Sequence, residues 1–244
     1  MTPEERRAEL AESLAEVRER LAEACRAAGR SPEEVELLAV TKTFPASDVA
    51  LLSDLGLSAF AENREQEARG KVAEFAELRP QAPRRWHMVG QLQRNKARAV
   101  ARWADVVESV DSERLAEALS RATANALETG ERERPLDVLV QVSLDGTTGR
   151  GGCAPEDVHR LADMITRTSG LRLRGVMAVA PLGGDAAVSF DTLLSISERL
   201  RIDHPEAVDV SAGMSGDLES AVAHGSTRVR VGTALLGGRR LTSP

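Results

Sequence analysis

Eight short apolar runs, each followed by a longer stretch of helical periodicity, constrain this chain more than any other feature of its 244 residues. The runs fall at about 35–41, 57–60, 86–89, 105–109, 136–142, 172–179, 207–210 and 227–231. Helical patterns lie between and after them, near 46–55, 62–77, 93–103, 112–129, 155–168, 187–202, 216–224 and 234–238. Strand and helix in strict alternation predict a parallel sheet covered by helices. Eight units predict closure into a (β/α)8 TIM barrel, a fold of ~250 residues. An open doubly wound sheet uses the same alternation. Against it, no GxGxxG fingerprint follows the first run, and no GxxxxGK[ST] phosphate loop occurs.

Ahead of the first run, Leu10, Leu14, Val17, Leu21, Ala24 and Ala28 recur at steps of three and four. Glu and Arg fill the other face, so an extra amphipathic helix over 3–28 is predicted, stopped by Gly29. The polar stretch between Gly130 and Pro135 is too short to separate domains. The expectation is a single domain over 1–244.

Charge and composition exclude several classes. Net charge is −6, basic and acidic residues are interleaved, and only four Phe and two Trp are present. Nucleic-acid binders need a basic face, often with stacking aromatics, so no nucleic-acid partner is expected. No apolar run approaches the ~20 residues of a membrane-spanning helix, and the first thirty residues carry no secretory pattern. A cytoplasmic monomer is the expectation. Cys25 and Cys153 are too few for a disulfide framework and form no CxxC pair.

A barrel gathers its chemistry at the carboxyl ends of its strands. Those positions hold Thr41-Lys42-Thr43, Glu62-Asn63, His87 with Gly90, Ser109 with Asp111, Gln141 with Ser143, Met177-Ala178, Ser211 to Ser215, and Arg230 with Gly232-Thr233. The set is polar where the strands are apolar. Lys42 closes the run Leu37-Leu38-Ala39-Val40, which would aim its amine into a low-dielectric mouth. Burial there disfavours an ammonium and frees an amine to attack an aldehyde. Position alone equally describes a solvated lysine closing a strand, and that is the more economical reading.

Two small, hydroxyl-rich turns follow the last two strands: Ser211-Ala212-Gly213-Met214-Ser215-Gly216-Asp217 and Val231-Gly232-Thr233. Backbone N–H groups in such turns cradle phosphate, and barrels often place a phosphate site after strands seven and eight. Either turn alone is an ordinary glycine turn. Arg230 stands at the same end, where it suits a phosphate, a ring nitrogen or a structural ion pair. Asn63 and His87 are candidate hydrogen-bonding walls, although a lone histidine is more often a core residue. Ser215 as a hydrolase nucleophile is disfavoured, because Asp217 occupies the last glycine position of a GxSxG elbow.

Taken in order, Ala39-Val40-Thr41-Lys42-Thr43, Phe60-Ala61-Glu62-Asn63 with Gln66-Glu67, Trp86-His87-Met88-Val89-Gly90-Gln91-Leu92-Gln93 with Asn95-Lys96, Leu173-Arg174-Gly175-Val176-Met177-Ala178, Ser211-Ala212-Gly213-Met214-Ser215 and Val229-Arg230-Val231-Gly232-Thr233 resemble the successive segments of the pyridoxal phosphate homeostasis proteins. The resemblance spans nearly the whole chain. It implies a barrel similar to the amino-terminal domain of alanine racemase, with Lys42 as the Schiff-base lysine. It further implies that Ser211, Ser215, Gly232 and Thr233 form the phosphate site, with Met214 in the same turn, and that Arg230 faces the pyridine nitrogen. The implied role is to buffer pyridoxal phosphate and deliver it to apoenzymes, without established turnover; an amino-acid racemase is the alternative. Two departures are Ala61, where the family has glycine, and Arg64, where it commonly has an aromatic residue.

Overall fold

The computed structural model describes residues 2–146, 151–181 and 183–238. Eight parallel strands are present: β1 (Glu36–Val40), β2 (Ala59–Glu62), β3 (Arg85–Met88), β4 (Val106–Val110), β5 (Leu136–Gln141), β6 (Leu171–Met177), β7 (Asp209–Ser211) and β8 (Arg228–Val231). Each pairs with its neighbours in chain order, and β1 pairs with both β2 and β8, so the sheet is a closed barrel. The open doubly wound alternative is thereby excluded.

The helices are α1 (Pro3–Ala27), α2 (Ala46–Asp54), α3 (Glu65–Leu78), α4 (Ala97–Val100), α5 (Glu113–Glu128), α6 (Val158–Thr166), α7 (Ala186–Asp203), α8 (Leu218–Ala223) and α9 (Thr233–Leu236). The extra helix α1 opens on a capping box in which Thr2 and Glu5 satisfy each other's backbone N–H groups. It lies against α2, α8 and α9, burying Leu10, Leu14, Val17 and Leu21. Arg6 pins it there with bonds to Asp48 Oδ2 at 2.7 Å and to the Leu236 carbonyl at 3.1 Å.

Strand alternation sorts the core. Ala39, Phe60, Trp86, Val107, Val138, Val176 and Val229 join the helices in one continuous apolar core. Leu38, Ala59 and Ala61, and separately Val106, Leu139 and Met177, pack on the opposite, inward face. At the amino-terminal ends of the strands that interior is ionic. Asp137 binds Arg85 at 2.6 Å and Arg172 at 2.5 Å, while Arg228 reaches Glu36 at 2.5 Å and Asp209 at 3.3 Å.

Strand β2 starts two residues later than the apolar run predicts. Leu57 donates its N–H to the Leu52 carbonyl around Gly56, whose φ is +88°, so it closes α2 as the cap's apolar contact and does not enter the sheet. The helix predicted over 93–103 is a single 3-10 turn at Arg94–Lys96 followed by α4. Among the described residues no helix is long and apolar enough to cross a membrane. Both cysteines are free and buried, and burial pushes the Cys153 thiol up to about 12, which leaves it protonated near neutral pH.

Candidate functional site

At the carboxyl end of β1, Thr41 is buried and Lys42 is exposed. The burial expected of the Lys42 amine at a low-dielectric mouth is corrected, since the residue stands exposed. Phe44 donates its N–H to the Thr41 carbonyl at 3.1 Å, so the chain reverses through Lys42 and Thr43 directly after the strand. The amine is carried on this turn at the rim. Thr43 takes φ +69°, a left-handed conformation that costs a β-branched residue on the order of 1–3 kcal/mol.

Behind the turn lies a buried ion cluster that sequence reasoning missed. Lys71 Nζ donates to the Thr41 carbonyl at 2.7 Å, to Glu62 Oε1 at 2.6 Å and to Glu67 Oε1 at 3.1 Å. Three acceptors match the three protons of an ammonium. Thr41 Oγ1 also donates to Glu62 Oε1, at 2.6 Å, and Thr43 donates its N–H to Glu67 Oε1 at 2.5 Å. Burial pushes the Glu62 carboxyl up, against the downward pull of Lys71 and the Thr41 hydroxyl. A signal for this cluster exists: Ala68, Lys71 and Phe75 share the buried stripe of α3.

Inside the barrel a second polar column runs between strands. His87 Nδ1 bonds Glu108 Oε1 at 2.7 Å, Ser211 Oγ donates to Glu108 Oε2 at 2.5 Å, and Arg230 Nη1 donates to Ser211 Oγ at 2.7 Å. Arg230 Nη2 donates to the Ala178 carbonyl at 2.8 Å, and Arg228 Nη1 lies 3.5 Å from Glu108. Burial alone would raise the Glu108 carboxyl; the His87 hydrogen bond and the charges of Arg228 and Arg230 outweigh it and hold it at about 2. Burial also pushes Arg230 down from the usual guanidinium value, against the pull of Glu108. Ser211 is therefore engaged beneath Arg230, and its hydroxyl is committed to protein partners. Glu108 itself was missed, although a carboxylate inside an apolar strand is a readable signal.

The two small turns meet at the mouth. Ala234 donates its N–H to Ser215 Oγ at 3.4 Å, which joins the turn after β7 to the start of α9. Asp217 Oδ1 accepts the Met214 N–H at 2.6 Å, and Gly213, at φ +92°, passes its carbonyl to the Arg230 N–H at 2.9 Å. The N–H groups of Ser215, Gly216 and Thr233 find no acceptor among the described residues. Gly232 packs against β1, where an added Cβ would stand 3.2 Å from the Val40 carbonyl.

Lys42, Asn63, Met214, Ser215, Gly232 and Thr233 thus follow strand ends at one face of the barrel, with Arg230 and Ser211 just inside it. His87 is fully buried within strand β3 and bound to Glu108, so it supports the interior column. Asn63 is half-buried, its Oδ1 has no hydrogen-bond partner among the described residues, and its backbone lies close against Gly90. The Ser215 hydroxyl is hydrogen-bonded to the Ala234 N–H, and no hydrogen bond joins it to a histidine among the described residues. No group of three or more metal-ligating side chains occurs among them either.

Three comparisons place this geometry. Residues 13–240 match the family described as alanine racemase, N-terminal domain. The pyridoxal phosphate homeostasis protein of Mycobacterium leprae is 50% identical over 98% of this chain and 96% of its own. The structure of PipY from Synechococcus elongatus with pyridoxal phosphate bound is 34% identical, with a TM-score of 0.78 over 93% of this chain and 100% of that one. With the family match and the near full-length identity in agreement, the chain belongs to the pyridoxal phosphate homeostasis protein family, on the barrel of the alanine racemase amino-terminal domain.

Proposed function

We propose that this chain holds pyridoxal phosphate on Lys42 and serves the homeostasis of that cofactor without catalysing a reaction of its own. The observation that carries the reading is the junction of Ser215 Oγ with the Ala234 N–H. It sets two turns side by side, with N–H groups of Ser215, Gly216 and Thr233 that find no acceptor among the described residues, a donor set suited to a dianionic phosphate. PipY, whose structure holds pyridoxal phosphate, and the homeostasis protein of Mycobacterium leprae support it by similarity.

When bound, pyridoxal phosphate supplies an aldehyde that condenses reversibly with an amine. Lys42 offers that amine from an exposed turn, which leaves the bond open to exchange with apoenzymes. Ser215, Gly232 and Thr233 would hold the phosphate, with the exposed Met214 in the same turn and the half-buried Asn63 beside it. Arg230 would meet the ring nitrogen, and Ser211, Glu108 and His87 hold Arg230 from below. In this reading residues 1–244 form one cofactor-binding unit, active as a cytoplasmic monomer.

The absence of turnover follows from charge. Arg230 keeps its positive charge and repels a proton from a facing ring nitrogen, which weakens the ring as an electron sink. Two-base racemisation also needs an acid–base group opposite Lys42. The chain contains no tyrosine, and His87 is buried against Glu108. The test is the visible spectrum of the purified protein followed by a panel of amino acids. A yellow protein inert to the panel is expected; a colourless protein refuses the cofactor reading, and steady racemisation abolished by Lys42→Ala refuses the non-catalytic one.

A further inference from the structure

The functional reading leaves Glu67 and Lys71 without a role, yet together they grip both sides of the Lys42 turn. Lys71 Nζ holds the Thr41 carbonyl at 2.7 Å, and Glu67 Oε1 holds the Thr43 N–H at 2.5 Å. The two side chains are themselves joined at 3.1 Å, so the clamp is a closed loop around Lys42. Its second anchor is the fully buried Glu62, 2.6 Å from the same Nζ.

What the clamp holds is a conformation threonine resists. Thr43 sits at φ +69°, the only positive φ outside glycine among the described residues. A β-branched side chain left to itself leaves that region. Relaxation of Thr43 would shift the backbone that carries Lys42 and so change where its amine stands. The hydrogen bond from Thr43 to Glu67 opposes that relaxation, and Lys71 fixes Glu67 by charge.

We propose that Glu67, anchored by Lys71, is a positioning residue that keeps the Lys42 turn in its left-handed form and so aims the amine at the cofactor site. The inference rests on the functional reading above. Lys71 has its three donors occupied and is no nucleophile in this arrangement.

The test is the rate at which the full chain captures added pyridoxal phosphate, followed by visible absorbance, with the melting temperature recorded beside it. Glu67→Ala should slow capture about tenfold, since misplacement of a reacting group by an ångström costs up to ~10²-fold. Glu67→Gln keeps a carbonyl acceptor for Thr43 and should retain most of the rate. The deciding variant is Glu67→Ala with Thr43→Gly: glycine adopts the left-handed turn unaided, so the rate should return. A role in stability alone predicts no such return. An unchanged rate in Glu67→Ala, or a slow rate that glycine does not restore, overturns the proposal. Failure of the unsubstituted chain to capture the cofactor on Lys42 overturns the functional reading instead.

Discussion

Glu108 Oε1 stands 2.7 Å from His87 Nδ1 in the middle of the barrel, with both side chains fully buried. The same carboxylate takes the Ser211 hydroxyl on its other oxygen, and Ser211 in turn receives Arg230. A buried carboxylate is costly unless paired and hydrogen-bonded, and Glu108 satisfies both conditions at once. Through Ser211 it fixes where the Arg230 guanidinium points.

This arrangement sets an acid dependence. Glu108 is held at about 2 in the folded protein against an ordinary 4.5, so the folded state binds fewer protons there than the unfolded chain. Its contribution is present above about pH 4.5 and is lost as pH falls towards about 2. At 1.36 kcal/mol per pKa unit the shift is worth about 3 kcal/mol. Urea unfolding of Glu108→Gln should show a loss of that order at pH 7 and a flatter decline below pH 4.5. Identical acid limbs in the two proteins would contradict the assignment.

Ser215→Ala combined with Thr233→Val should speed loss of the cofactor while leaving the melting of the unliganded protein unchanged. Both side chains lie at the junction of the two turns and are not buried, so their removal opens no core cavity. Charge-assisted hydrogen bonds to phosphate contribute about 1.5–3 kcal/mol each. Stopped-flow dissociation measures the effect. An unchanged rate would place the phosphate elsewhere.

Gly90→Ala tests the seating of the Asn63 loop. A Cβ there would lie 2.1 Å from the Asn63 carbonyl oxygen, a backbone atom with little freedom to move. Overpacking of this kind costs about 1–3 kcal/mol, read as a lower melting temperature, and it should weaken cofactor binding as Asn63 shifts. Gly70→Ala is the control: nothing lies within 4 Å of its Cβ position, and alanine within α3 should stabilise by roughly 0.5–1 kcal/mol. Equal melting of the two variants would remove the steric argument.

Much of this was legible in the residues, for physical reasons. Strand and helix periodicities differ, so the eightfold alternation survives in the sequence, and the Arg228-Val229-Arg230-Val231 alternation marks an inward polar face on β8. The β2 boundary was not legible because Leu57 is apolar for a helix cap and not for a strand. Lys42 misled in burial, since the turn that carries it depends on contacts from α3, twenty-odd residues away. Glu108 and Lys71 escaped notice because a charged residue looks solvated until its partners on other elements are known. Their partners lie on β3, β7 and β8 for one and on the turn after β1 and on β2 for the other.

The most direct test of the central claim is borohydride reduction of the protein loaded with pyridoxal phosphate, followed by peptide mapping. Lys42 is exposed at the rim, whereas Lys71 has all three donors occupied and Lys96 lies 3.6 Å from Glu65 in the turn before α4. The account predicts the reduced adduct on Lys42 alone. An adduct on Lys71 or Lys96, or none on Lys42, would contradict it.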